Sequence, residues 1–280
     1  MKVALLQDFF ENEIIGGAEK NDSVLLNYLS SQKKVKASGV HTYNVESVLD
    51  DYDFFVVSNF IRLPDTAKQY LMNKKNYIIY EHDHKYVANR NPGAFKNFIA
   101  PRNMIINRDF YDQAKKVFVL SKVCKEVIEN NLQINNVHSI GCSLWSKEHL
   151  ELIKQISHTS GKSNEYGILD SGNQVKGTLK AMEFCKNNDI VPTMVSSPDY
   201  VEFITRLSLC EKFIFFPQVL ETFSRVCAEA KMLNCKVLTT PKLVGFFSED
   251  YSHLSGDELN DKISENIDAA LLRFKEVMFE

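Results

Sequence analysis

The feature that most limits what this chain can fold into is the rhythm of its apolar runs. Residues 3–6, 54–58, 77–80, 117–121 and 137–140 are runs of four or five residues, mostly aliphatic, β-branched or aromatic. Between them lie longer amphipathic stretches. One is 18–29, with Val24, Leu25, Tyr28 and Leu29 at helical spacing; another is 122–131. A short strand that is apolar along its whole length is buried on both faces, and a helix between two strands makes a parallel crossover. The pattern therefore predicts a doubly wound parallel sheet.

The rhythm breaks between 141 and 165, where 147–156 looks helical and 158–164 is polar. It then restarts. Strands are expected at 166–169, 191–195, 213–217 and 236–239, helices at 177–187, 200–210 and 224–233, and a long amphipathic helix at 257–279. Two similar α/β domains are expected, over 1–160 and 161–258. A final helix over 259–280 is expected to pack back toward the first domain. In this class ligands bind beyond the carboxyl ends of the strands, so the loops after strands matter most.

Composition narrows the choice. The 280 residues are 44% apolar, which excludes a disordered chain, and the net charge of −3 excludes a polycation that binds nucleic acid by bulk charge. No apolar run approaches the ~20 residues of a membrane span, and the apolar N-terminal residues are too few for a signal-peptide core. The six cysteines lack metal-binding spacing and read as free buried thiols of a cytoplasmic protein.

The strongest chemical signal is the segment 215–230. A buried strand runs into a loop, and a helix is expected to start near Thr222 or Phe223, capped by Thr222 or Ser224. Its free N–H groups and positive end would suit a phosphate. Glu221 stands at that entrance. Glu229 follows eight residues on, about two turns and roughly 10–12 Å away at ~1.5 Å per residue. Two carboxylates bracketing an anion site suit a ligand with hydroxyls at both ends and phosphates between. An exposed first-turn glutamate plus one on a helix face is the plain structural alternative.

Glu221-x7-Glu229, followed by Ala230 and the run Asn234 to Thr240, resembles the Glu-x7-Glu segment of glycosyltransferase family 4. Gly16-Gly17-Ala18-Glu19 resembles that family's N-terminal Gly-Gly loop, and Lys176-Gly177 its Lys-Gly after the first strand of the C-terminal domain. The resemblance covers most of the chain. It implies the GT-B fold, α/β with two Rossmann-like domains whose parallel sheets face a central cleft. It also implies a retaining, metal-independent glycosyltransferase that uses a nucleotide-diphosphate sugar as donor substrate, with no cofactor. Glu229 would bind the ribose hydroxyls and Glu221 the donor sugar. Amides of Thr222, Phe223 and Ser224 would meet sugar and phosphate oxygens. Lys176 would neutralise the diphosphate, and Val195 would lie near the base. The family's arginine shortly before that lysine is missing from 167–177. Amides around Ser171 and Gly172, or Arg225 or Arg206, would have to replace it. A non-catalytic nucleotide-sugar-binding relative is the alternative that the gap leaves open, with a phosphorylase or epimerase as a third.

Gly16 and Gly17 follow a strand and open a helix, where a backbone without side chains can approach a bound phosphate or sugar. Glu19 falls in the helix's first turn and reads as structural. Glu81-His82-Asp83-His84 ends a strand. Neighbours along a strand point to opposite faces, which argues against a metal site. The resemblance makes His82 a contact for donor sugar or acceptor and Asp83 an acceptor-orienting or basic group. Asp50, Asp51 and Asp53 precede a strand and read as a solvated turn. From Lys85 to Lys125 nine lysines or arginines, Arg90 among them, interleave with Tyr86, Phe95, Phe98, Phe110 and Tyr111. This stretch would suit an anionic acceptor: modified DNA (a phage-type activity), a phosphorylated glycan or a membrane-surface lipid. A charged face over a packed aromatic core is the structural alternative.

Overall fold

The computed structural model describes residues 1–14 and 16–280. The chain forms two compact units, residues 1–145 with 266–280, and residues 146–265. The expected boundary near residue 160 falls inside the second unit, in a three-residue connection between a helix ending at Thr159 and a strand starting at Ser163.

The first unit comprises β1 (Lys2–Gln7), α1 (Gly17–Ser31), β2 (Lys36–His41), β3 (Phe54–Val57), α2 (Asp65–Lys74), β4 (Tyr77–Glu81), α3 (Arg108–Asp112), β5 (Val117–Val119), α4 (Lys122–Leu132) and β6 (Val137–Ser139). The sheet order is β2-β1-β3-β4-β5-β6, and every pairing is parallel. β3, β4 and β5 are buried along their whole length, as an apolar central strand must be. β2 escapes a reading by apolar runs. It is an edge strand, KASGVH, of half-exposed small and polar residues.

The second unit comprises α5 (Lys147–Thr159), β7 (Ser163–Leu169), α6 (Thr178–Asn187), β8 (Pro192–Val195), α7 (Tyr200–Leu209), β9 (Cys210–Phe215), α8 (Arg225–Met232) and β10 (Lys236–Thr239), and receives the start of α9 (Gly256–Phe279). Its sheet order is β10-β9-β7-β8, again all parallel. Ile168 and Ile214 from the sheet meet Ala181 and Cys185 of α6 in a core that Phe184, Phe216 and Leu238 extend. Asn260 near the start of α9 donates to the Leu150 carbonyl on α5 (2.9 Å).

The later part of α9 belongs to the first unit. There Phe274 is fully buried, with its ring 4.9 Å from Tyr80 and 4.1 Å from Phe118. All six cysteines are free buried thiols. Among the described residues no helix is long and apolar enough to cross a membrane. Truncating Phe274→Ala leaves a cavity under β4 and β5 and is expected to cost about 3–5 kcal/mol in urea denaturation. A loss below ~1 kcal/mol would show that the helix end is not part of that core.

Candidate functional site

Because the second sheet is parallel throughout, the loops that follow its strands gather at one edge. Two of them are tied together. The Gln218 N–H donates to the Val175 carbonyl (2.8 Å). Gly177 has φ +73°, and a Cβ there would sit 1.8 Å from the Phe216 carbonyl oxygen. Only glycine allows this approach. The turn it permits delivers Lys176 to Glu221, where Nζ donates to Oε1 at 2.9 Å and to Oε2 at 3.0 Å. The Glu221 backbone is pinned in turn by the loop after β10. Its N–H donates to Leu243, and its carbonyl accepts from Gly245. Phe223 is buried, edge-on to Phe246.

The helix begins later than expected, at Arg225, and neither Thr222 nor Ser224 caps it. Ser224 occupies the N-cap position with φ +71° and makes no side-chain cap bond. A capping side chain needs the extended backbone that puts its oxygen over the first turn, and a left-handed residue turns it away. Such a conformation costs a serine about 1–3 kcal/mol and is kept where the surroundings enforce it.

Glu229 is buried on α8. Tyr200 Oη, at the start of α7, donates to its Oε1 (2.8 Å), and Arg225 Nε lies 3.8 Å from the same oxygen. Sequence reasoning missed Tyr200, which looked like the first residue of an ordinary helix. Arg206 is held by Glu202 (2.6 Å) and by the Ser196 carbonyl (3.0 Å). Of the two arginines, Arg225 is therefore the one beside Glu229. The Ser171 N–H faces the Thr178 hydroxyl (3.3 Å), so it is not the free amide expected for a diphosphate. A Cβ on Gly172 would meet nothing within 4 Å. Val195 ends β8 fully buried, with its carbonyl accepting from the Asp170 N–H (3.0 Å). Burial pushes the Cys227 thiol on α8 up to about 12, which removes it as a nucleophile.

In the first unit, β4 runs into a dense polar cluster. His82 is buried, with Nε2 3.1 Å from Asp22 Oδ1, and Ser58 Oγ donates to Asp22 Oδ2 (2.6 Å). Asp22 was missed, although its signal was present: it shares the apolar face of α1 with Leu25 and Leu29. Lys85 corrects the expectation of an exposed acceptor contact. Its side chain and that of Glu81 are each 2% exposed, and Nζ donates to Glu81 (2.8 Å) and Asp83 (2.7 Å). Tyr111 closes the far side of Glu81. Arg90 is exposed and also bonds Asp83 (2.9 Å). Burial works against the Asp83 charge, but Lys85 and Arg90 outweigh it and hold the carboxyl at about 2. Asp83 is thus a poor base, which leaves acceptor orientation of the two roles expected for it. The basic stretch also thins out. Tyr86, Phe110 and Tyr111 lie in the core, and Lys125 is neutralised by Glu129 (2.7 Å).

The two clusters differ in energetic kind. Lys176 and Glu221 are 35% and 11% exposed, so the lysine end of this pair is open to water. Breaking the Lys85–Glu81 pair would strand a buried charge at about 3–5 kcal/mol. The first pair can open to a ligand; the second is architecture.

No protein-family model matches the chain, and no curated protein matches it. Solved structures do. A glycosyltransferase from Rickettsia africae aligns over 99% of this chain and 97% of its own, at 11% identity and TM-score 0.53. A UDP-N-acetylglucosamine 2-epimerase from Rickettsia bellii aligns over 100% of both chains, at 8% identity and TM-score 0.53. An α-glucosyltransferase solved with UDP-glucose and DNA containing an abasic site aligns over 99% and 93%, at 11% identity and TM-score 0.51. The likeness is one of fold. With its two parallel sheets, the chain has the two-domain, Rossmann-like GT-B fold expected from its sequence.

The lowered Asp83 carboxyl gives a pH signature. Its stabilisation is complete above the ordinary value of 3.8 and is lost as pH falls through about 2. Asp83→Asn should flatten this acid limb in urea midpoints measured against pH; an unchanged limb would contradict the ion-paired assignment.

Proposed function

We propose that this chain is a retaining, metal-independent glycosyltransferase of the family 4 kind, moving a sugar from a nucleotide-diphosphate sugar to an acceptor hydroxyl. One observation supports the reading: the loops after β7 and β9 bring Lys176 onto Glu221, and Glu229 lies buried on α8, the helix that follows the second of these loops. The UDP-glucose bound to the α-glucosyltransferase of the same fold supports a nucleotide sugar as donor.

The roles are those the resemblance implies. Glu229, oriented by Tyr200 and Arg225, accepts hydrogen bonds from the ribose hydroxyls. Glu221 accepts from hydroxyls of the donor sugar. Lys176, the more open partner, leaves Glu221 for the diphosphate and exchanges one anion for another. It then offsets the charge that grows as the bond between the sugar's anomeric carbon and the diphosphate oxygen breaks. Arg225 stands in for the missing family arginine. The acceptor oxygen attacks the face the diphosphate leaves, so positioning and charge stabilisation do the work of a strong base. For His82, held by Asp22, the reading keeps the contact to sugar or acceptor that the resemblance implies.

The test is incubation with a panel of nucleotide sugars. Release of nucleoside diphosphate, with the sugar unchanged apart from its new bond, supports transfer. Binding without release supports a non-catalytic module, and a sugar inverted at another carbon supports an epimerase. Lys176→Ala is expected to lower turnover about 100–1,000-fold. Glu229→Ala is expected mainly to raise the donor KM, roughly 10–100-fold, the worth of one or two hydrogen bonds from a charged group. Full activity in both variants would refute the site.

A further inference from the structure

We infer that a lysine-ringed cavity on the amino edge of the first unit's sheet binds a phosphate monoester that carries a small apolar or ring group. The site stands apart from the glycosyl-transfer reading. The cavity measures about 660 Å³, within the ~300–1,000 Å³ usual for small-molecule sites. Its wall comes from the turn between α1 and β2, with Gln32, Lys33, Lys34 and Val35, and from the end of α9, with Lys275 and Phe279.

Position separates this cavity from the sites described above. A turn that leads from a helix into a parallel strand lies where strands begin. His82 and the Gly16-Gly17 turn follow strands and lie at the other edge, about 20 Å away over the six residues of β1 at ~3.3 Å each. The Gly16-Gly17 turn, where a phosphate or sugar is expected to approach, holds a carboxylate instead. Glu19 Oε2 takes the space that a Cβ on Gly16 would need, and there it faces the positive start of α1.

At the amino edge the charge is of the opposite sign and uncompensated. Among the described residues no acidic side chain lines the cavity, and Lys33, Lys34 and Lys275 have no ion pair. Lysines that follow a helix commonly serve its last carbonyls. Here those carbonyls are already taken. The Tyr28 carbonyl accepts from Ser31 Oγ (2.7 Å) and Gln32 Nε2 (3.3 Å), and the Leu29 carbonyl accepts from the Gln32 N–H (3.1 Å). The Gln32 Oε1 accepts from Lys275 Nζ (2.9 Å), so a neutral partner holds this ammonium in place without cancelling its charge. The glutamates further along α9, Glu276 and Glu280, are taken by Arg273 (3.0 and 2.9 Å). Three like charges around one cavity repel one another, and a doubly charged anion relieves that repulsion best.

Orthophosphate alone would fill little of the cavity. Val35 is buried and Phe279 is 51% exposed, so the charged wall adjoins an apolar one. A ring or short apolar group on the phosphate would cover Phe279. Ammonium groups are compact point charges and read the dianion rather than the shape of its carrier. A soluble phosphate ester and a lipid with a phosphate monoester headgroup share this chemistry.

The experiment is calorimetric titration of the full chain with phenyl phosphate, inorganic phosphate and phenyl sulfate at about pH 7.5, where the phosphate ester carries close to two charges. Phenyl phosphate should bind about two- to tenfold more tightly than inorganic phosphate, the worth of an aromatic contact. It should bind about tenfold more tightly than the singly charged sulfate. Lys34→Ala and Lys275→Ala should each weaken phenyl phosphate about tenfold. Phe279→Ala should remove its advantage over inorganic phosphate. Co-sedimentation with phosphatidylcholine vesicles that carry phosphatidic acid, lost in Lys275→Ala, assigns the ester to a lipid; phenyl phosphate binding without co-sedimentation assigns it to a soluble ester. Failure to bind either the ester or the vesicles, equal affinity for phenyl phosphate and phenyl sulfate, or binding that Lys176→Ala weakens and the cavity variants do not, would overturn the inference.

Discussion

Parallel hydrogen bonding within each sheet is the constraint on which the rest depends. Six strands in one unit and four in the other all run the same way within their sheet. Parallel strands need helices on their faces, and covered faces exclude polar chemistry from the strands themselves. What polar function the chain has is pushed to the loops at the carboxyl ends, where helices begin. Lys176, Glu221, His82 and the Gly16-Gly17 turn all stand at such junctions. In the second unit the edge is fixed by backbone contacts, with Gly177 against Phe216 and the loop after β10 against Glu221.

Burial separates the polar clusters into those that build and those that act. The Glu81–Lys85 pair is sealed, with Asp83 at its open end, and their hydrogen bonds are spent within the chain. It fixes how β4 ends and thereby where His82 sits. The Lys176–Glu221 pair is open at its lysine end. A site must exchange internal partners for a ligand's, and the proposed function accordingly uses the more open ion pair.

Much of this was legible in the sequence. Apolar runs mark every buried strand, and the Glu221-x7-Glu229 spacing with Lys176-Gly177 singles out the residues of the proposed second-unit site. What stayed hidden falls into two kinds. β2 is an edge strand without an apolar run, and α2 is short and mostly polar. The partners Tyr200, Asn59 and Ser58 come from elsewhere in the chain, and only folding brings them to Glu229, Glu19 and Asp22. The basic stretch misled for a related reason. Sequence counts charges, but burial and pairing decide which of them face a ligand, and Lys85 does not.

The central claim is that the second unit reads a nucleoside diphosphate through a carboxylate on the ribose and a lysine on the diphosphate. Calorimetric titration of the full chain with UDP, GDP and ADP, each against its monophosphate, tests it most directly. One diphosphate should bind at least about tenfold more tightly than its monophosphate, since Lys176 contributes only when the second phosphate is present. Equal affinity for the two, or no binding of any, would contradict it.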